Sequence, residues 1–73
     1  MIQRTKVSGL TLEIEESPAG YSEGTWGYYV RDDAGNGLGD GGYASRQHAT
    51  EAGTARANLL ARVLRISIEE VAN

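Results

Sequence analysis

The sequence predicts an α+β fold: a three-stranded antiparallel sheet packed against one long helix, followed by a short C-terminal helix or strand. Three observations predict it. Leu10 to Glu15 alternate strictly between apolar and polar residues, the period of a half-buried strand. Trp26 to Arg31 alternates in the same way and leads into a glycine-rich turn. Beyond Ser45, apolar residues recur at helical spacing from Ala49 to Leu64, as an amphipathic helix requires.

The first strand puts Leu10, Leu12 and Ile14 on one face and Thr11, Glu13 and Glu15 on the other. Ser17-Pro18-Ala19-Gly20 stops it, and Tyr21 to Thr25 reads as a loop. The second strand turns Trp26, Tyr28 and Val30 inward and Gly27, Tyr29 and Arg31 outward. Trp26, the only tryptophan, is expected to anchor the core. Asp32 to Gly37 is turn material, with Asn36-Gly37 suited to the positive φ of a tight hairpin. Leu38 to Tyr43 is the third strand. Gly39, Gly41 and Gly42 weaken it, so a short, twisted or bulged strand is expected.

Ser45 is a good N-cap, because its hydroxyl accepts from a free first-turn N–H. The helix is expected from Arg46 to about Leu64. Its apolar face is small in the first half (Ala49, Gly53, Ala52, Ala57) and large in the second (Leu60, Val63, Leu64). Small residues allow close approach to the sheet near Trp26. After a break near Arg65–Ser67, Ser67-Ile68-Glu69-Glu70 fits a capping box, with Ile66 and Val71 as its hydrophobic staple. Leu64, Ile66 and Ile68 also alternate with Arg65, Ser67 and Glu69, which fits a strand.

Seventy-three residues make one domain, 1–73. There is no cysteine, so neither a disulfide nor a thiolate zinc site can form. Small secreted domains usually depend on disulfides, and no apolar stretch follows the first residues as in a signal peptide, so a cytoplasmic setting is expected. No run of apolar residues is long enough for a bilayer span, and no membrane association is expected. The formal net charge is −3, unevenly spread. Residues 1–44 hold three basic against seven acidic side chains, and residues 45–73 hold four against three. Nucleic-acid binders draw most of their affinity from basic patches, so this balance disfavours nucleic acid as a partner.

Trp26, the run Val30-Arg31-Asp32, the glycine turn, Gly42-Tyr43, Ser45 and the alanines at 49, 52, 55 and 57 form a pattern over about half the chain. It resembles the β-β-β-α modules of the AP2 domain and the arm-binding domains of phage integrases. It is also similar to bacterial domains of the YegP type. The resemblance implies an aromatic-rich strand and a glycine hairpin leading into an alanine-rich helix, in a protein of bacterial, phage or plasmid type. In the DNA-binding members, arginines on the solvent face of the sheet reach bases and phosphates. Here that face would show Thr11, Glu13, Glu15, Gly27, Tyr29 and Arg31. Only Arg31 fits the role, so DNA binding is not carried over.

Three motifs bear on chemistry. Gly37-Leu38-Gly39-Asp40-Gly41-Gly42 matches G-x-G-x-x-G, but the chain is short of the parallel sheet that a dinucleotide site needs. No cofactor is expected. Asp32-Asp33-Ala34-Gly35-Asn36-Gly37 starts like a calcium loop. Position 3 is then Ala34 and position 12 is Tyr43, so the ligand pattern fails and no metal site is assigned. Weak cation binding by Asp32, Asp33 and Asp40 stays open. Ser45 and His48 lie one helical turn apart, without the acid, oxyanion donors and cleft that catalysis needs, so no enzyme is expected.

Arg56 falls near the middle of the helix's apolar face. Either its stem packs while its head reaches solvent, or it marks an edge that meets a partner. Tyr29 and Arg31 share the outer sheet face and are of types enriched at interfaces. Ile66, Ile68 and Val71 leave the tail apolar. The candidate interaction surface is therefore Tyr29, Arg31, Arg56, Ile66, Ile68 and Val71. The function expected is a non-catalytic protein-interaction module whose partner is another protein or a second copy, as a homodimer. The alternatives are a β-β-β-α nucleic-acid-binding module and an acidic DNA-mimicking inhibitor.

Overall fold

The computed structural model describes residues 2–72, and side chains as far as residue 64. Four strands form one antiparallel sheet in chain order: β1 (Ile2–Val7), β2 (Leu10–Glu16), β3 (Trp26–Arg31) and β4 (Gly37–Tyr43). One helix, α1 (Arg46–Ala72), lies across one face, mainly over β2 and β3.

The expected three strands are thus four. The added strand is β1, joined to β2 by Ser8-Gly9 with φ of 53° and 83°. Two central residues at positive φ make the two-residue connection whose twist matches a hairpin. Ser8 Oγ donates to Asn58 Oδ1 at 2.5 Å, tying this turn to α1.

Paired residues in antiparallel strands project to the same face, so the register fixes both faces. Leu12 pairs with Val30, and Val30 with Leu38; Ile14 pairs with Tyr28. Leu10, Leu12, Ile14, Tyr28 and Val30 are buried under α1 together with Ala49 and Ala57. The inside and outside of β2 and β3 are therefore as the alternation predicts. Trp26 is only half-buried, packed at the margin. The fully enclosed large side chains are Leu12 and Val30 instead.

β4 is a full strand with one irregularity. Trp26 pairs with Tyr43 and Tyr28 with Asp40, so Gly41 and Gly42 together oppose Gly27. Gly42 has φ of 83°, which a side chain would resist. The extra residue reverses the alternation and brings Tyr43 to the helix side, as a bulge does. There its ring lies 5.9 Å from that of Tyr28. In the β3–β4 connection the positive φ belongs to Gly35, at 91°, not to Asn36 or Gly37. The turn closes one step earlier than expected, on Gly35 N–H to the Asp32 carbonyl at 3.2 Å, and Gly37 already belongs to β4.

Ser45 caps α1: its Oγ accepts from His48 N–H at 3.1 Å and its carbonyl from Ala49 N–H at 3.1 Å. The serine oxygen beside His48 thus serves the backbone. Ala49, Gly53 and Ala57 form the buried stripe, spaced four apart. A Cβ on Gly53 would lie 2.6 Å from Leu12 Cδ1 and 2.9 Å from Tyr28 Cβ, so glycine sets the helix–sheet distance. The large half of the face does not fill the core. Leu60 packs against it, but Val63 and Leu64 are 50% and 47% exposed. Nineteen helical residues from 46 span about 28 Å and a six-residue strand about 20 Å, so the later turns run past the sheet. The backbone of α1 continues through Arg65–Ser67, where a break was expected, and carries no C-terminal strand. Among the described residues, no helix is long and apolar enough to cross a membrane.

Candidate interaction face

The sheet face away from α1 is open, and its floor is glycine. Gly37, Gly39 and Gly41 alternate along β4 and all point outward, beside Gly27 on β3. Rings lie where their side chains would be. A Cβ on Gly37 would meet the Tyr29 ring at 2.7 Å, and one on Gly39 would meet it at 2.9 Å. A Cβ on Gly41 would meet three Tyr21 ring atoms at 2.8 to 2.9 Å, and one on Gly27 would meet Pro18 Cγ at 2.8 Å. Aromatic rings laid over sheet glycines supply the apolar cover those residues lack. The outer sides of the two rings stay in water: Tyr29 is 42% exposed and Tyr21 46%.

The β2–β3 loop delivers Tyr21 to this position. Tyr21 N–H donates to the Pro18 carbonyl at 3.2 Å, and Gly20 between them has φ of 88°, as a type II turn demands. Ser17 N–H donates to the Thr25 carbonyl at 2.7 Å, and Ser17 Oγ accepts from Gly24 N–H at 2.9 Å. The Tyr21 hydroxyl donates to Asp40 Oδ1 at 3.2 Å, on the free edge of β4.

The charges on this face are partly paired. Glu13 lies between two arginines: Arg4 Nε is 2.7 Å from Oε2, and Arg31 Nε is 3.5 Å from Oε1. Lys6 reaches Asp33 at 3.6 Å. Among the described residues Glu15 has no ion-pair partner. A shallow concavity of about 450 Å³ opens between the loop and the sheet, lined by Tyr21, Tyr29, Glu13, Glu15 and Asp40 above Gly27 and Gly39.

The expected surface is split by this geometry. Tyr29 and Arg31 share the open face, and Arg31 turns toward Glu13. Arg56 is exposed on α1, on the other side of the sheet and off the buried stripe, so it is not at the middle of the apolar face. It lies near Tyr43, whose hydroxyl is pushed above its usual pKa by desolvation first, then by Tyr28 and Asp40, with the Arg56 charge acting the opposite way. The side chains of Ile66, Ile68 and Val71 lie outside the described residues. Sequence reasoning missed Ile2, Arg4 and Lys6 on the open face because it missed β1. It also left Tyr21 in a loop; the Pro-Ala-Gly before it was the available signal.

A second, apolar groove of about 260 Å³ lies at the opposite end of the helix–sheet interface. Leu10, Val30, Leu38, Leu60, Val63 and Leu64 line it. Among the described residues, no three His, Asp or Glu side chains converge as metal ligands would. The chain matches no family model, no curated protein and no solved structure.

Proposed function

We propose that the chain is a non-catalytic protein-interaction module that also pairs with itself. The observation that carries this reading is the cluster of exposed apolar side chains on the second half of α1 and the adjoining start of β4. Leu38, Leu59, Val63 and Leu64 are each at least one-third in solvent, and three of them line one groove. Contiguous exposed apolar surface on a small domain marks a contact with another protein. The sequence of α1 goes on to Ile66, Ile68 and Val71, so an isologous pairing of two helices has apolar residues to use.

Sedimentation equilibrium tests the self-association. The chain is expected to pair with rising concentration, and Val63→Glu, at an exposed position, to weaken the pair at least ~10-fold. A wild-type chain that stays monomeric at ~1 mM ends this part of the reading.

Nucleic-acid binding gains Arg4 and Lys6 from β1. The same strand also brings Arg4 to Glu13, which it shares with Arg31, and Lys6 to Asp33, so carboxylates interrupt the basic residues of this face. The protein-interaction reading is the stronger for that reason.

A further inference from the structure

We propose that the concavity on the open face binds cationic side chains, a guanidinium or ammonium group presented by a basic segment of a protein partner. The inference deepens the protein-interaction reading by naming the partner's chemistry, and it uses a surface separate from the apolar groove. Three observations support it. The lining holds the carboxylates Glu13, Glu15 and Asp40 and no lysine or arginine, and with Glu13 held by Arg4 and Arg31 the charge left to a ligand is that of Glu15 and Asp40. The chain's own cations on this face are already engaged, Arg4 and Arg31 with Glu13 and Lys6 with Asp33, while Glu15 has no ion-pair partner among the described residues. Two tyrosine rings rest on glycine with their outer faces in water.

An aromatic face attracts a cation through the negative charge above its ring, and a nearby carboxylate adds direct attraction. A guanidinium suits this site best, being planar and able to stack on a ring while donating to a carboxylate. The floor is strand backbone paired in the sheet, and Tyr21 is held by its bond to Asp40, so little ordering accompanies binding. The volume of about 450 Å³ lies within the usual range of small-ligand pockets and has room for one or two such side chains. A polyanion would meet Glu15 and Asp40 here, which argues against nucleic acid at the same place.

The test is titration of the intact chain with an oligoarginine peptide, followed by amide chemical-shift changes. Shifts are expected at Tyr21, Tyr29, Gly39 and Gly41. Tyr21→Leu, Tyr29→Leu and Glu15→Gln should each weaken binding about two- to fivefold, the worth of one exposed cation contact. Glu51→Gln removes the same charge from α1, where Glu51 Oε1 accepts from Gln47 Nε2, and should leave affinity unchanged. Tyr29→Leu disturbs the cover over Gly37 and Gly39 and Tyr21→Leu that over Gly41, whereas Glu15→Gln changes only a surface charge. Glu15→Gln, with Glu51→Gln as its control, therefore decides the matter if either tyrosine variant unfolds.

The proposal is overturned by shifts spread away from this face, by equal weakening from Glu51→Gln, by no binding, or by an oligothymidylate binding there instead. Dimerisation in the centrifuge with no peptide bound would sink the cation site alone. Peptide binding by a strict monomer would sink self-association alone.

Discussion

Glu13 shows how one side chain organises a face. It stands on the central strand β2 and takes an arginine from the neighbour on each side. Exposed ion pairs contribute only ~0–1 kcal/mol, so the trio orients Arg4 and Arg31 more than it stabilises the sheet. Asp32 does comparable work within the β3–β4 turn. Its Oδ1 accepts from Ala34 N–H at 3.0 Å and from Asn36 N–H at 2.9 Å. These bonds favour the charged carboxylate and hold its pKa below the usual aspartate range, with the Asn36 N–H the largest cause. A lowered folded pKa means that the contribution to stability is complete above the unfolded value, near about pH 4, and is lost as pH falls through the folded one. Titration of the Asp32 carboxyl carbon by NMR should therefore give a midpoint below the normal aspartate value. An ordinary midpoint would show that the turn does not grip the charge. The turn-forming character of Asp32 and the cap at Ser45 were legible, because each acts on backbone two to four residues away. The role of Arg4 was not, because its partner is set by strand pairing.

The elements separate those whose burial is one-sided from those whose burial is not. β2 and β3 were readable because each turns a row of apolar residues to one cover. β1 carries apolar residues only at Ile2 and Val7, an odd number of positions apart and so on opposite faces. It leaves no alternating signature, and charged residues between them suit an exposed edge. The tyrosine and glycine platform was hidden for a related reason: the glycines could be seen to weaken a strand, but not which rings would lie on them. α1 was predicted to begin at Arg46 and does. Its apolar stripe was placed too centrally on Arg56, because periodicity cannot show how far a sheet extends beneath a helix. Gly53 gives the sharpest test at this scale. Alanine is the better helix former by ~1 kcal/mol, so Gly53→Ala would stabilise an isolated helix. Against Leu12 and Tyr28 its methyl has no space, and overpacking a tight core costs about 1–3 kcal/mol. Urea unfolding should show a net loss of ~1 kcal/mol. A gain would mean that helix and sheet can separate without cost.

For the whole molecule, the helix and the sheet expose different chemistry at different places. The overhang of α1 presents aliphatic side chains, and the uncovered sheet face presents rings and carboxylates. The self-association and the cation site proposed above would therefore use separate surfaces. Each strand pairs only with its neighbours in the chain, so few contacts join distant parts of the sequence before the helix docks. Such connectivity favours rapid, cooperative folding. Stopped-flow refolding should give single-exponential relaxation on the ~1–100 ms scale and a V-shaped dependence of its logarithm on urea. Rollover of the folding limb with missing early amplitude would point to a populated intermediate.

The same strand order has a consequence for a shortened chain. All four strands are complete by Tyr43, before any part of Arg46–Ala72. Leu12 and Val30 have no lid until α1 docks, so a chain cut after Tyr43 would carry them as a greasy, unroofed surface ready to associate.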